Sequence, residues 1–507
     1  MSLTKQLVIL SAILLLSLIS KGQQQDGSVF ERRISISQSD QSLDYILEQI
    51  SWQANVFFSY DASIINTEKK INISIQNKSL YTVLNQLLDP TRYRFTERQN
   101  QVIITRRSSE NQLNSSTDTI PVKYFSLTGR LIESRREKAI PFATISFKQK
   151  PIGTMSNADG EFLLKVHPSH INDTIIISSM GYQQKLLPAY QLLDEDLFIL
   201  EPVSIQIKEI KVTAITTEKL LAKMRENYEK NYSPNTKLMS AFYRETVKQD
   251  KEYISVSEAV MEVLKAPYTT GSTRNDLVKL LKGRKSSDVQ PFKWLNFKLM
   301  GGPFTITELD AVKTVETFIN PMYEVVYSYQ IADVIWYNKY PVYVVKFHAV
   351  SNDFFPPFEG TMYVHRETFA LIHAEYQLNK NGLQQAEDIM IKRKPRKVKA
   401  KPTYASYEVN YQQYQGKWHL ASAKASVKFK VKSKRDRLNS EFHSVSELLI
   451  TNIESTDLKR FDRDTRFNRN DIFVEVLGAY DEQFWENYNI IKPDESLRNA
   501  FKTSLFN

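Results

Sequence analysis

The chain has 507 residues, 42% hydrophobic and 24% charged, with a net charge of +10; that length suits about three domains, and that composition argues against disorder. It holds no cysteine, which excludes disulfides, thiolate metal centres, iron–sulfur clusters and the lipidated cysteine of a lipoprotein. The cationic excess favours anionic partners such as phospholipid headgroups or lipopolysaccharide. Tyr (26) and Phe (27) are plentiful and Gly (14) scarce, a bias towards pleated, half-buried β structure.

Residues 1–22 read as a signal peptide. A short start ends in Lys5, the apolar run LVILSAILLLSLIS follows Gln6, and Ser20-Lys21-Gly22 supplies small residues for cleavage. The mature chain is expected to begin near Gln23; the alternative, an uncleaved anchor, needs a longer apolar run. Export to the periplasm, in association with the outer membrane, follows as the expected localisation. No later stretch has the apolar length of a membrane helix.

Residues 28–107 predict a βαββαβ module. RISIS (33–37) alternates like a strand. Leu43, Ile46, Leu47 and Ile50 have helical spacing, NVFFSY (55–60) and KINISIQ (70–76) read as strands, and Leu80, Val83, Leu84, Leu87 and Leu88 mark a second helix. Residues 93–97 and 101–106 form a closing hairpin. The stretches LEQISWQANVFFSYD (47–61), SLYTVLNQLL (79–88) and YRF…VIITR (93–106) resemble the secretin and TonB short N-terminal domain. That resemblance implies an envelope module that binds a protein partner. Residues 108–123 are polar and aperiodic, a linker.

Residues 124–213 predict short strands with a turn at Asn157-Ala158-Asp159-Gly160, the pattern of an Ig- or prealbumin-like β-sandwich. LTGRLIESRREKAIPFATISF (127–147), GTMSNADGEFLL (153–164) and IIISSMGYQ (175–183) resemble the carboxypeptidase-like regulatory domain. The resemblance implies an accessory sandwich, not the zinc peptidase, whose His-x-x-Glu spacing is absent: Glu stands only two residues after His365 and His373. The whole chain is similar to Bacteroidetes envelope proteins that carry this domain without a TonB-dependent receptor barrel; the remaining residues are too few for a plug and such a barrel.

Residues 214–454 predict a surface helix over 217–232, a basic and helical 277–284, a turn at 298–303, a helix over 306–317, and then long antiparallel strands from about residue 322. Residues 340–379 resemble a lipoprotein-carrier half-barrel, which implies an acyl-binding face; the alternative is a plain sheet with a helix on one side. Residues 455–507 read as helices or a docked tail. The expected fold class is therefore a multidomain, β-rich α+β protein.

No nucleophile elbow, phosphate loop, dinucleotide fingerprint or metalloprotease motif occurs. His167 and His170 have HxxH spacing without a third ligand near in sequence. No catalytic residue, cofactor or metal ligand is assigned, and nucleic acid is not an expected partner. The candidate site is an anionic-surface contact: Lys392, Arg393, Lys394, Arg396 and Lys397 in KRKPRKVKAK, with Lys428, Lys430 and Lys432 on one face of a strand. The leading functional reading is a non-enzymatic envelope protein that binds a partner through residues 28–107 and a ligand or lipid through the large sheet. Two alternatives stand beside it: an envelope hydrolase with its site in 240–453, and a regulatory partner of a TonB-dependent transporter.

Overall fold

The structure is a computed structural model. It describes residues 28–60, 64–98, 100–106, 124–203, 215–269, 275–285, 302–314, 318–320, 325–337, 340–351, 356–390, 398–434, 437–469, 471–477, 485 and 488–499. The segments expected to form a signal peptide and a linker, and most of the basic run, therefore lie outside the described residues. The protein is a multidomain, β-rich α+β protein, and the chain divides into two compact units, residues 1–126 with 166–168, and residues 127–165 with 169–507.

The first unit holds β1 (Arg33–Ser42), α1 (Leu43–Ala54), β2 (Phe57–Tyr60), β3 (Lys70–Ser79), α2 (Leu80–Leu87), β4 (Tyr93–Arg98) and β5 (Gln101–Arg106). Both helices start on a serine whose hydroxyl accepts a backbone N–H, Ser42 from Tyr45 and Ser79 from Thr82. β1 pairs with β3, while β2, β5 and β4 form a second sheet with β2 and β5 parallel. Phe125 belongs to this core: its ring stacks on Phe30 at 5.8 Å and meets Tyr81 edge-on at 5.6 Å.

The second unit begins with the expected sandwich. Its strands are β6 (Phe125–Glu133), β7 (Thr144–Phe147), β8 (Gly153–Met155), β9 (Glu161–Val166), β10 (Thr174–Ser178), β11 (Lys185–Pro188) and β12 (Leu197–Leu200), in sheets ordered β11-β10-β7-β8 and β12-β6-β9. Then come α3 (Thr217–Glu226), α4 (Tyr228–Asn231), β13 (Lys237–Gln249), β14 (Glu252–Lys265), β15 (Leu277–Lys285), α5 (Gly302–Thr307), β16 (Tyr327–Tyr337), β17 (Tyr340–Ala349), β18 (Phe358–His365), β19 (Leu371–Leu378), α6 (Lys380–Gln385), α7 (Glu387–Met390), β20 (Val398–Tyr414), β21 (Lys417–Ser433), β22 (Leu438–Ser455) and β23 (Arg466–Phe467). The strands from β13 onward form one 11-stranded antiparallel sheet, ordered β16-β17-β18-β19-β20-β21-β22-β13-β14-β15-β23. Among the described residues no sheet closes into a barrel, and no helix is long and apolar enough to cross a membrane.

Two local expectations fail for identifiable reasons. Residues 277–284 are not helical but form β15. Val260 pairs with Lys282 and Met261 with Leu280, so Leu281 is a bulged residue, 40% exposed; the bulge breaks the period of two and leaves leucines at helix-like spacing. The helix expected over 306–317 is instead the short α5 followed by turns. Burial of Asp310 fixes those turns: its carboxylate accepts from Tyr268 (2.6 Å) and Tyr411 (2.7 Å) and pairs with the buried Lys265 (2.6 Å).

Both faces of the large sheet are covered over part of their extent. One face carries Met239, Ala241, Met261, Val345, Met362, Ala374, Val409 and Ile450, and Leu220, Leu221, Ile306, Ala311, Val312 and Phe318 are buried against it. The apolar face that an acyl chain would use is thus covered by the protein's own side chains. The opposite face meets the sandwich: Met155, Phe142 and Leu163 pack with Phe242, Val260, Leu449, Trp485, Ile490 and Ile491.

Candidate functional site

The register of the large sheet builds one transverse row of side chains on the sandwich-facing side. Direct cross-strand partners are Lys346–Thr361, Thr361–Glu375, Glu375–Glu408, Glu408–Lys424, Lys424–Glu447, Glu447–Arg244, Arg244–Glu258 and Glu258–Arg284. From Glu408 to Arg284 the charges alternate, the arrangement cross-strand neighbours favour. At the buried end, Glu258 takes Arg244 Nε at 2.7 Å and Arg284 Nη2 at 2.8 Å. Burial alone would raise the Glu258 pKa; the two guanidinium groups outweigh it and hold the carboxyl below its usual range.

The alternation breaks at Glu375 and Glu408, two carboxylates directly opposite one another, an unfavourable pairing. A cavity of about 520 Å³ opens at this point, lined by Glu359, Glu375, Gln377, Ser406, Glu408 and Lys424 among others. Its three carboxylates face one ammonium. His373 donates Nε2–H to Glu375 Oε1 at 3.0 Å, and its Nδ1 lies 2.7 Å from Asn410 Oδ1. The hydrogen bond from His373 holds the Glu375 carboxyl below its usual range despite partial burial. Asn410 Nδ2 donates to Glu408 Oε1 at 3.2 Å and to Ser422 Oγ at 3.0 Å. Gln377 Nε2 donates to Glu359 Oε1 at 2.8 Å. Each carboxylate is therefore oriented by a neighbour.

Lys424, which closes the cleft, is itself held. Its ammonium lies 3.7 Å from the Phe142 ring centroid and 3.8 Å from Glu447 Oε1. Phe142 adopts φ +57°, a left-handed conformation unusual for a bulky side chain. Gly360 in the floor has no room for a side chain, since a Cβ there would overlap the Glu375 carbonyl oxygen.

The residues singled out in the sequence lie elsewhere. Lys392, Arg393, Lys394, Arg396 and Lys397 are outside the described residues. Lys428, Lys430 and Lys432 share one face of β21, while Phe429 and Val431 are buried on the other. His170 Nδ1 lies 3.0 Å from Asp173 Oδ2 and 2.6 Å from Lys150 Nζ, and the His167 ring stands edge-on to Tyr124 at 5.4 Å. Among the described residues no group of three or more side chains is arranged to hold a metal ion. Glu375 and Glu408 escaped the sequence reading because 33 positions of chain separate them and only the β19–β20 register joins them.

Residues 58–107 match the family model of the secretin and TonB N terminus short domain, and residues 127–212 that of the CarboxypepD_reg-like domain. The chain carries both domains. Both are accessory, non-catalytic types, and the short domain is a module of envelope systems. Neither match reaches the large sheet. No curated protein matches the chain in sequence. Among solved structures, an outer membrane lipoprotein-sorting protein domain from Vibrio parahaemolyticus aligns with 48% of this chain and 96% of its own, at 11% identity and a TM-score of 0.27. A DUF1329 family protein from Desulfovibrio piger covers 48% of this chain and 95% of its own, at 12% identity and a TM-score of 0.23. Lipovitellin covers 45% of this chain and 26% of its own, at 9% identity and a TM-score of 0.21. At such TM-scores these likenesses add no conclusion about this chain.

Proposed function

We propose that this protein is a non-enzymatic component of the bacterial envelope, working at the periplasmic side of the outer membrane. In this reading its short N-terminal domain binds an envelope protein, and its large sheet takes up a ligand bearing a cationic group. The observation that carries the ligand reading is the Glu375–Glu408 pair over an open cleft. Two opposed carboxylates repel each other until a cation sits between them. The apolar face is already occupied by the protein's own chain, which favours a polar ligand over an acyl chain. His373 is 5% exposed, and both its ring nitrogens face partners. It therefore orients Glu375 and does not reach a substrate, which speaks against the hydrolase reading.

The test uses the full chain and two small probes of similar length, spermidine and triethylene glycol, titrated calorimetrically at physiological salt. Spermidine should bind and triethylene glycol should not, and the double variant Glu375→Gln/Glu408→Gln should lose the binding. Equal responses to the two probes, no response to either, or an undiminished response in the variant would overturn the ligand reading. Recovery of the protein in the cytoplasm on fractionation would overturn the envelope reading.

A further inference from the structure

The strands that build the cleft continue past it to a flank of different character. Two rows further along β20 and β21, lysines stand directly opposite lysines: Lys401 pairs with Lys430 and Lys399 with Lys432. On β22 the next partners are Glu441 beside Lys430 and Asn439 beside Lys432. Glu441 is already engaged with Lys428 at 3.5 Å. Lys399, Lys401, Lys432 and Lys434 are exposed, and among the described residues no carboxylate forms an ion pair with them. Directly opposed like charges weaken a sheet. Here they recur in consecutive rows, backed on the other face by a small apolar cluster of Val398, Ala400, Phe429, Val431 and Phe442.

The pairing sets these lysines in a regular grid on one face, with neighbours about 4.8 Å apart across strands and about 6.8 Å apart along them. The cations are lysines, point charges without the fork that reads one carboxylate bidentately. Tyr404, 39% exposed, stands opposite Lys428 on the same face, and tyrosine favours the headgroup layer of a membrane. A one-faced array of undirected positive charge with an exposed tyrosine at its edge complements a surface studded with phosphates.

We propose that this flank, through Lys399, Lys401, Lys428, Lys430 and Lys432, docks on a lipid surface bearing anionic phosphate headgroups. The partner is the bilayer itself and not an acidic protein.

The test is sedimentation of the full chain with lipid vesicles at low salt. Phosphatidylcholine vesicles are compared with vesicles containing one part in three phosphatidylglycerol; the neutral vesicles also report any affinity of the apolar residues 7–19. Binding should require the anionic lipid and vanish as screening shortens from a Debye length of about 10 Å to about 3 Å in molar salt. Lys399→Gln/Lys430→Gln/Lys432→Gln should bind about a hundredfold more weakly, at about fivefold per lysine, with an unchanged or higher melting temperature because the opposed charges are gone. Equal binding to both vesicles, full binding by the folded variant, or binding to soluble polyglutamate without binding to vesicles would overturn the proposal.

Discussion

Two buried basic residues of the large sheet, on β14 and β21, show how pairing decides the fate of a charge. Lys265 is 2% exposed and keeps its proton: burial would lower its pKa, but Asp276 at 2.8 Å and Asp310 at 2.6 Å outweigh burial and raise it. His419 is 1% exposed, and among the described residues no carboxylate forms an ion pair with it; burial, with Lys237 and Lys265 nearby, pushes its pKa down to about 4. The folded protein therefore keeps His419 neutral while the unfolded chain accepts a proton below the ordinary histidine value. Stability falls as pH drops from about 6.5 to about 4, by roughly 3 kcal/mol from this group, at about 1.4 kcal/mol for each tenfold difference in proton affinity between the folded and unfolded chains. Asp310 and Glu258, whose pKa values are depressed, contribute stability that is lost only below the ordinary carboxylate range. Urea unfolding of the parent and of His419→Phe across pH 7 to 4.5 isolates the histidine. The difference between the two profiles should widen as pH falls, and parallel profiles would show that His419 does not titrate as described.

The C-terminal segment ties the sandwich to the sheet element by element. Thr154 Oγ1 donates to the Ile490 carbonyl at 3.0 Å, the Lys165 amide to Asn489 Oδ1 at 2.7 Å, and the Glu495 amide to Asp159 Oδ2 at 2.7 Å. Arg498 and Lys492 both reach Glu161, at 2.6 and 3.3 Å, and the Trp485 ring meets Phe242 edge-on at 5.6 Å. Hydrogen bonds of this kind contribute about 1 kcal/mol each, and together they should make sandwich and sheet melt as one. Deleting residues 485–507 should split that single calorimetric transition in two, with the sandwich melting first; an unchanged single transition would show that the segment is not the tie. The same elements show what a sequence can reveal. β21 is readable because one of its faces is solvated, so lysine alternates with Val427, Phe429 and Val431. β15 is not, because the bulge at Leu281 shifts its phase. The cleft is less readable still. Its carboxylates sit on separate strands, and bulges such as those at residues 402–404 and 410–411 set which residues face each other.

At the scale of the molecule, the boundary of the first unit matters more than the sequence suggests. The resemblance ends at residue 107, and so does the family match, yet the compact unit runs on to Ser126. Phe125 is 1% exposed against Phe30 and Tyr81, and the Ser126 amide donates to Glu31 Oε1 at 3.0 Å. A fragment of residues 28–107 would leave Phe30 and Tyr81 without this cover. Removing a buried phenylalanine costs about 3–5 kcal/mol, a large share of the stability of so small a domain. The fragment 28–126 should therefore be more stable than 28–107 by about 3 kcal/mol in urea, and Phe125→Ala should bring the longer fragment down to the shorter one. Equal midpoints for the two fragments would place Phe125 outside the folding unit. The comparison also bears on the partner reading, because a capture experiment with 28–107 would present a weakened domain, and its failure would report on folding before it reported on binding.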